Sequence, residues 1–372
     1  MTAQLVSIGT AVPGFPIAQA ALRDFFTGQP GVGRLTQRLI GAAFDQSAID
    51  FRYAVIGGPG GEPLFFGTDD ALRTPTTGER NALFRRAAPA LLEAASRRAL
   101  EESGYSAADI THVITVSCTG GFAPGPEFLL ARALGVMDSA ERLHLGFMGC
   151  AAALPALRTA ARFVAAQPDA VVLVACTELC SLHVRASSDP EQIVAASVFG
   201  DGAAAAIVAD GRSGSEALQG TTLEIGEFAT AVTATGESDM DWSIGDTGFE
   251  MRLSAEVPRI VGREIAAVVA RMLSGGSPQD VEAWAVHPGG RSVLDRVQSG
   301  LGLSDAVMLG SRSTLREYGN MSSATVLFIL QGILRDPTLF DGDRVAALAF
   351  GPGLTVETAR FTVRRPTTGA RS

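Results

Sequence analysis

Three residues of this 372-residue chain have types and settings suited to acyl transfer: Cys150 in GFMGCAAALPALR, His287 in WAVHPGG and Asn320 in YGNMSSATVLFIL. A thiol at the start of a helix faces the positive end of the helix dipole, and a neighbouring imidazolium adds to that field, so together they can hold a thiolate nucleophile. An imidazole and a carboxamide can donate hydrogen bonds to a thioester carbonyl and stabilise the enolate or oxyanion that forms there; removing one such donor typically costs about 3–4 kcal/mol of barrier. Each residue also has an ordinary reading. A cysteine between glycine and alanine is more often a small buried side chain, and a histidine before Pro-Gly-Gly can simply cap a turn. What separates the readings is where the three fall among the elements that carry them.

Those elements repeat. Thr76-x-x-Glu79 forms a capping-box pattern ahead of a helix over 80–103, and HVITVSC (112–118) reads as a short buried strand that ends in the TGGFAPG loop. RLHLGFMGC then leads into a helix expected to start at or just after Cys150, with Pro155 in or near its first turn, where proline is tolerated. AVVLVACTE (170–178) and VFGDGAAAAIVAD (198–210) read as two further strands. In the second half EAWAVHPGG (282–290), the apolar helix-former SSATVLFILQGIL after Asn320, and RVAALAFGPG (344–353) follow in the same order. The interval from strand end to helix start is 32 residues from Cys118 to Cys150 and 33 from His287 to Asn320. The pattern predicts a duplicated α/β unit joined near 210–225, with Cys150 and Asn320 at equivalent helix starts and His287 at a strand end beside them. His112 and His144 lack this context and read as structural. The glycine turn of FGPG, with Gly351, Pro352 and Gly353, is expected to direct its amides into the same cleft.

Composition narrows the chemistry. All 30 basic residues are arginine, so Schiff-base, pyridoxal-phosphate and P-loop chemistries, which need a lysine, are excluded. A net charge of -9 argues against nucleic-acid binding. Although 47% of residues are hydrophobic, no apolar run approaches the ~18 residues of a membrane span. With no basic leader and no sustained apolar segment at the start, the chain reads as soluble and cytoplasmic. The four cysteines, at 118, 150, 176 and 180, include no CxxC pair, and Cys180-x-x-His183 lacks further ligands, so neither a metal nor a disulfide is expected. A GxGxxG after a strand and a GxSxG are both absent, which removes dinucleotide and α/β-hydrolase readings.

Together with VFGDGAAAAIV (198–208) and AFGPGLTVET (349–358), the three motifs resemble, in order, the signatures of type III polyketide synthases, the chalcone synthase-like branch of the thiolase superfamily. The resemblance is clearest from Val113 to Glu357. It implies a homodimer with a five-layered αβαβα core built of thiolase-like halves, 1–212 and 220–372. It also implies that Cys150 takes a starter acyl group from coenzyme A, and that His287 and Asn320 promote decarboxylation of malonyl-CoA to the enolate that extends it. CoA thioesters are then substrates and no cofactor is required. Phe199 falls at the family's gatekeeper phenylalanine, Met251 at the second gatekeeper, and Trp242 where plant members carry a small residue on the cavity wall. Cys118, Thr119, Cys180, His183 and Ser322 map to cavity-lining positions. The basic residues that plant members place near the CoA phosphates fall on Leu39, Ala42 and Gln46, so Arg34, Arg38 or Arg52 is expected to substitute. WSIGDTGFEMRLSAEVP is most similar to bacterial members that make alkylpyrones or alkylresorcinols from fatty acyl starters. Two other readings fit the same triad: a ketoacyl-ACP synthase III-like enzyme that stops after one condensation, and a non-catalytic acyl-binding protein of the same fold.

Overall fold

The computed structural model describes residues 2–58, 60–67, 71–167, 169–211 and 220–366. The first half opens with β1 (Ala3–Ala11), the short β2 (Ile17–Ala18), α1 (Gln19–Thr27), α2 (Arg34–Asp45) and β3 (Phe51–Arg52). The long α3 (Thr77–Ser103) follows, then β4 (His112–Ser117), α4 (Pro126–Leu134), β5 (Glu141–Gly146), α5 (Ala153–Ala166), β6 (Val171–Leu179), α6 (Pro190–Val198) and β7 (Asp201–Asp210). The second half comprises β8 (Thr222–Val232), the hairpin of β9 (Met240–Gly245) and β10 (Gly248–Leu253), α7 (Val257–Met272), β11 (Ala283–Val286), α8 (Arg291–Leu301), α9 (Asp305–Tyr318), α10 (Thr325–Leu334), β12 (Arg344–Gly351) and β13 (Thr355–Arg364).

Local signals fix several of these boundaries. The expected capping box starts α3: Thr76 accepts from the Glu79 amide, and the Glu79 carboxylate accepts from the Thr76 amide at 2.8 Å. Gly104 then ends the helix in the left-handed conformation, where L-residues with side chains are disfavoured. α10 is apolar on nearly every side, as a helix must be when it is covered on both flanks.

Strand directions carry the duplication. β4 runs parallel to β6, and β7 and β1 continue antiparallel; β11 runs parallel to β12, and β13 and β8 continue antiparallel. Only β5 has no counterpart, and α9 occupies its place in the chain order. The two sheets are joined at their edges by a short β1–β8 pairing, Gln4 with Glu224 and Leu5 with Leu223. Of the join expected near 210–225, residues 212–219 lie outside the described residues.

Alternation of side chains along the strands produces the layers. On β7, Ala204, Ala206 and Val208 face the central core with α5 and α10, while Ala203, Ala205 and Ile207 face α3 and α4. On β12, Val345, Ala347 and Ala349 face the same central helices, while Ala346, Leu348 and Phe350 face α7, α8 and α9. The order is therefore helix, sheet, helix, sheet, helix, the expected αβαβα arrangement. Its consequence for chemistry is that the starts of the two central helices meet deep inside the molecule.

Candidate active site

Cys150 lies in a 3-10 turn, Gly149–Ala151, immediately before α5, and an equivalent turn, Ser322–Ala324, precedes α10 just after Asn320. The thiol sulfur is 3.9 Å from Asn320 Oδ1 and 4.0 Å from Nδ2. The Ser322 amide donates to Asn320 Oδ1 at 2.8 Å, which anchors the carboxamide, and its NH2 is directed at the Cys150 sulfur. Asn320 is held by its backbone as well: its amide donates to Val198 O at 2.8 Å, and its carbonyl accepts from the Gly200 amide. A single short bridge thus ties the Asn320 segment to Phe199.

His287 continues the β11 ladder by donating its amide to Leu348 O at 2.8 Å. Its side chain is fully buried, and neither ring nitrogen has a hydrogen-bond partner. A buried imidazole with both nitrogens unused is costly unless a ligand completes it. Burial pushes its pKa down to about 3, so the resting ring is neutral.

Burial also modifies the expectation of a standing thiolate. Desolvation raises the Cys150 thiol to about 11, against smaller opposing contributions from Ser322, Asn320 and its own backbone amide. The helix start alone does not offset the loss of water. At rest both groups are therefore neutral, and neither ring nitrogen of His287 is hydrogen-bonded to the sulfur.

Two cavities meet at this point. The outer one, about 810 Å³, is lined by Cys150, His287, Asn320 and Phe350, and its mouth carries Arg252, Arg259, Arg291 and Arg296. The inner one, about 90 Å³, is walled mainly by apolar groups including Leu22, Phe25, Phe26, Ile56 and Phe66, with Cys180, His183 and Trp242. Phe199 and Met251 line both. The β9–β10 hairpin accounts for the second of these, because Met251 pairs directly across from Trp242 and cross-strand partners project to the same face. Gln192 of α6 pins the hairpin by donating to Met251 O at 2.6 Å.

Other expected positions are used differently. Cys118 and Thr119 stand behind the cavity walls rather than lining them, because their polar groups are spent on the framework, whereas the Ser322 side chain faces the Cys150 thiol. Cys118 Sγ accepts from the Gly149 amide at 3.0 Å, and its carbonyl accepts from Trp242 Nε1 at 2.7 Å. Thr119 donates to Glu178 and accepts from the Leu179 amide. The Gly351–Pro352–Gly353 turn packs on the Cys150 turn. A Cβ at Gly149, whose φ is +63°, would fall 2.3 Å from Pro352 Cδ, so only glycine lets the two turns touch. The preceding Phe350 takes the cavity-lining position.

Arg52 cannot serve a phosphate at the surface. It is buried, donating to Gln19 Oε1 and to the carbonyls of Ala196 and Phe199, and so clamps the backbone at Phe199. Arg34 and Arg38 are exposed on α2, whose end meets the outer cavity only through Ala43, Gln46 and Ser47.

Sequence reasoning passed over Glu178. Fully buried at the end of β6, it accepts from the Cys118 amide at 3.0 Å and from Thr119 Oγ1 at 2.9 Å, and on its other oxygen from Ser323 Oγ at 2.5 Å. It therefore ties the loop after β4 to the turn before α10, and burial raises its pKa to about 7. The available signal was an acid closing an otherwise apolar strand, AVVLVACTEL.

Family models for chalcone and stilbene synthases match the chain twice, the N-terminal domain over residues 1–212 and the C-terminal domain over 227–364. The chain belongs to this family. It is accordingly a type III polyketide synthase, an acyltransferase of a family that uses CoA thioesters without a separate cofactor, and the single-condensation and non-catalytic readings are set aside. It is 33% identical over 308 residues to "Alpha-pyrone synthesis polyketide synthase-like Pks18" of Mycobacterium tuberculosis, covering 82% of this chain and 78% of that one. It is 32% identical over 364 residues to "Probable polyketide synthase 1" of Dictyostelium discoideum, covering 95% of this chain but only 11% of that much longer protein. Among solved structures, the C-terminal type III polyketide synthase domain of Steely1 from Dictyostelium superposes with a TM-score of 0.87 at 31% identity, covering 97% of this chain and 99% of that domain. Among the described residues, no helix is long and apolar enough to cross a membrane, and no group of three or more potential ligands could hold a metal ion.

Proposed function

We propose that this family member loads an acyl-CoA starter, of fatty acyl type, on Cys150 and extends it with malonyl-CoA to an alkylpyrone or alkylresorcinol-type product. The observation that carries this reading is the shared wall: Phe199 and Met251 line both the cavity holding Cys150, His287 and Asn320 and an inner pocket whose walls are mainly apolar, as a hydrocarbon starter requires. The similarity to an alpha-pyrone synthesis protein agrees with it.

In the loading step His287 accepts the thiol proton, Sγ attacks the starter carbonyl, and the C–S bond to coenzyme A breaks as the proton passes to the departing thiolate. Malonyl-CoA then places its thioester carbonyl between a His287 N–H and Asn320 Nδ2. The bond to its carboxylate breaks, CO2 leaves, and the electron pair moves onto the oxygen held by these donors. The enolate carbon attacks the Cys150 thioester, forming the new C–C bond and releasing the thiolate. The lengthened CoA thioester can reload Cys150 for another round, until cyclisation ends the cycle.

Of the four cysteines only Cys150 is not buried, so iodoacetamide should label it first. Because its thiolate forms with an imidazolium, His287→Ala should slow that labelling at neutral pH about tenfold or more. Peptide mapping of time points checks both; four equal rates, or a rate unaffected by the substitution, would refute the assignment.

Product profiling by mass spectrometry across starters from acetyl-CoA to palmitoyl-CoA tests the function itself. Polyketides of two or more extensions are expected, and β-ketoacyl products of one extension alone would sink the reading. In the same assay Met251→Phe should lower kcat/KM for long starters about tenfold relative to acetyl-CoA, since a rigid ring replaces a thioether that can yield. Equal effects on all starters would contradict a gate.

The halves 1–212 and 220–372 act in this reading as nucleophile-bearing and His/Asn-bearing units. A homodimer is supported by the sheet edge at β5, which pairs on one side only and neighbours exposed Leu143, Phe147 and Met148. The reaction is placed in the cytoplasm, where both CoA substrates are available.

A further inference from the structure

The walls of the outer cavity are unequal in charge. On the α2 side the lining is Ala43, Gln46 and Ser47, without a cation. α7 and α8 supply Arg259, Arg291 and Arg296, and β10 supplies Arg252, against two acids, Asp189 and Glu191, at the start of α6, in a chain whose net charge is -9. Two of these are already engaged: Arg252 lies 3.5 Å from Glu191, and Arg259 lies 2.5 Å from Glu256. Arg291 and Arg296 have no ion pair among the described residues, although both border the cavity that holds the thiol.

Arg296 is exposed, but its stem rests against α7. A Cβ at Gly262, in the middle of α7, would come 3.2 Å from Arg296 Cδ, so the missing side chain leaves a lane for the arginine stem between the packed helices. A mid-helix glycine costs about 1 kcal/mol relative to alanine, which makes its use here a matter of space. Arg291 opens α8 four residues after His287, and the intervening Gly289 and Gly290 line the same cavity. A ligand that starts at the mouth by Arg291 and Arg296 and ends at Cys150 therefore runs along one continuous space.

We infer that Arg291 and Arg296 form the phosphate-binding subsite for coenzyme A in this chain, on α8 instead of on α2. Resting on the CoA-dependent function proposed above, the assignment gives the diphosphate and 3′-phosphate of the cofactor portion two guanidinium partners. Guanidinium suits this task because its planar donors pair bidentately with phosphate oxygens. The thiol-bearing arm then points inward past Phe199 to the reacting centre.

Equilibrium titration of the purified full chain with coenzyme A and with 3′-dephospho-CoA tests the assignment without requiring turnover. Arg291→Ala and Arg296→Ala should each weaken coenzyme A about tenfold, and the double Arg291→Glu, Arg296→Glu variant more than about a hundredfold. Wild type should prefer coenzyme A over the dephospho form and lose affinity with added salt; the double variant should show neither effect. Arg34→Ala, Arg38→Ala should bind like wild type, and thermal melts should verify that every variant is folded. Unchanged affinity in the double glutamate variant, or loss in the α2 variant instead, would overturn the assignment. Arginine-dependent binding in a protein that makes no polyketide would sustain this site while removing the proposed function. Polyketide formation with arginine-independent binding would do the reverse.

Discussion

Cys150→Ala should give a folded protein that forms no product from any starter. No other thiol can take over, because Cys118, Cys176 and Cys180 are buried and burial raises all three further from ionisation. The fold should tolerate the change. Cys150 is followed by Ala151, Ala152 and Ala153, the helix start does not rely on its side chain for a cap, and removing one sulfur leaves a small void beside an existing cavity. Mass-spectrometric product assay together with a thermal melt separates the two effects. Continued polyketide formation by the alanine variant would remove Cys150 from the mechanism.

Asn320→Ala should reduce malonyl-CoA decarboxylation by about 10²–10³ while slowing starter loading by less than about tenfold. The asymmetry follows from geometry. Asn320 Oδ1 is held by the Ser322 amide, so its NH2 is turned toward the Cys150 sulfur and the cavity, where the enolate oxygen is the atom that accumulates charge. Loading relies more on the thiol and on His287. Release of CO2 from malonyl-CoA and single-turnover acylation measured on the same preparation give the two rates; equal losses would count against the enolate role.

Much of the scaffold behind these predictions was legible from local pattern. The capping box of α3 is a four-residue signal, and β4, β6 and β7 are continuous apolar runs bounded by turns. Because Cys150 and Asn320 open helices at similar distances from strand ends, the duplication could be read from spacing, and the strand directions agree with it. What escaped was whatever depends on which way a side chain points or on residues far apart in the chain. Strand position did not show that Cys118 and Thr119 turn their polar groups to Trp242, Gly149 and Glu178 instead of to the cavity.

The helix start at Cys150 was legible, but the desolvation that opposes a standing thiolate depends on tertiary enclosure. The expectation of phosphate-binding arginines was confined to α2 and its neighbourhood, whereas the cavity mouth is built largely from α7, α8 and β10. Arg52 illustrates the difference. A cation near the right place in sequence proves to be a buried clamp on the Phe199 backbone.

The central claim is that Cys150 carries the growing acyl chain. It is tested most directly by incubating the protein with a fatty acyl-CoA, quenching in acid before malonyl-CoA is added, and mapping the acyl mass by peptide mass spectrometry. The expected result is one acyl group on the peptide containing Cys150, discharged when malonyl-CoA is supplied and absent from peptides containing Cys118, Cys176 or Cys180. Acylation at another residue that discharges into product, with Cys150 unmodified throughout, would contradict it.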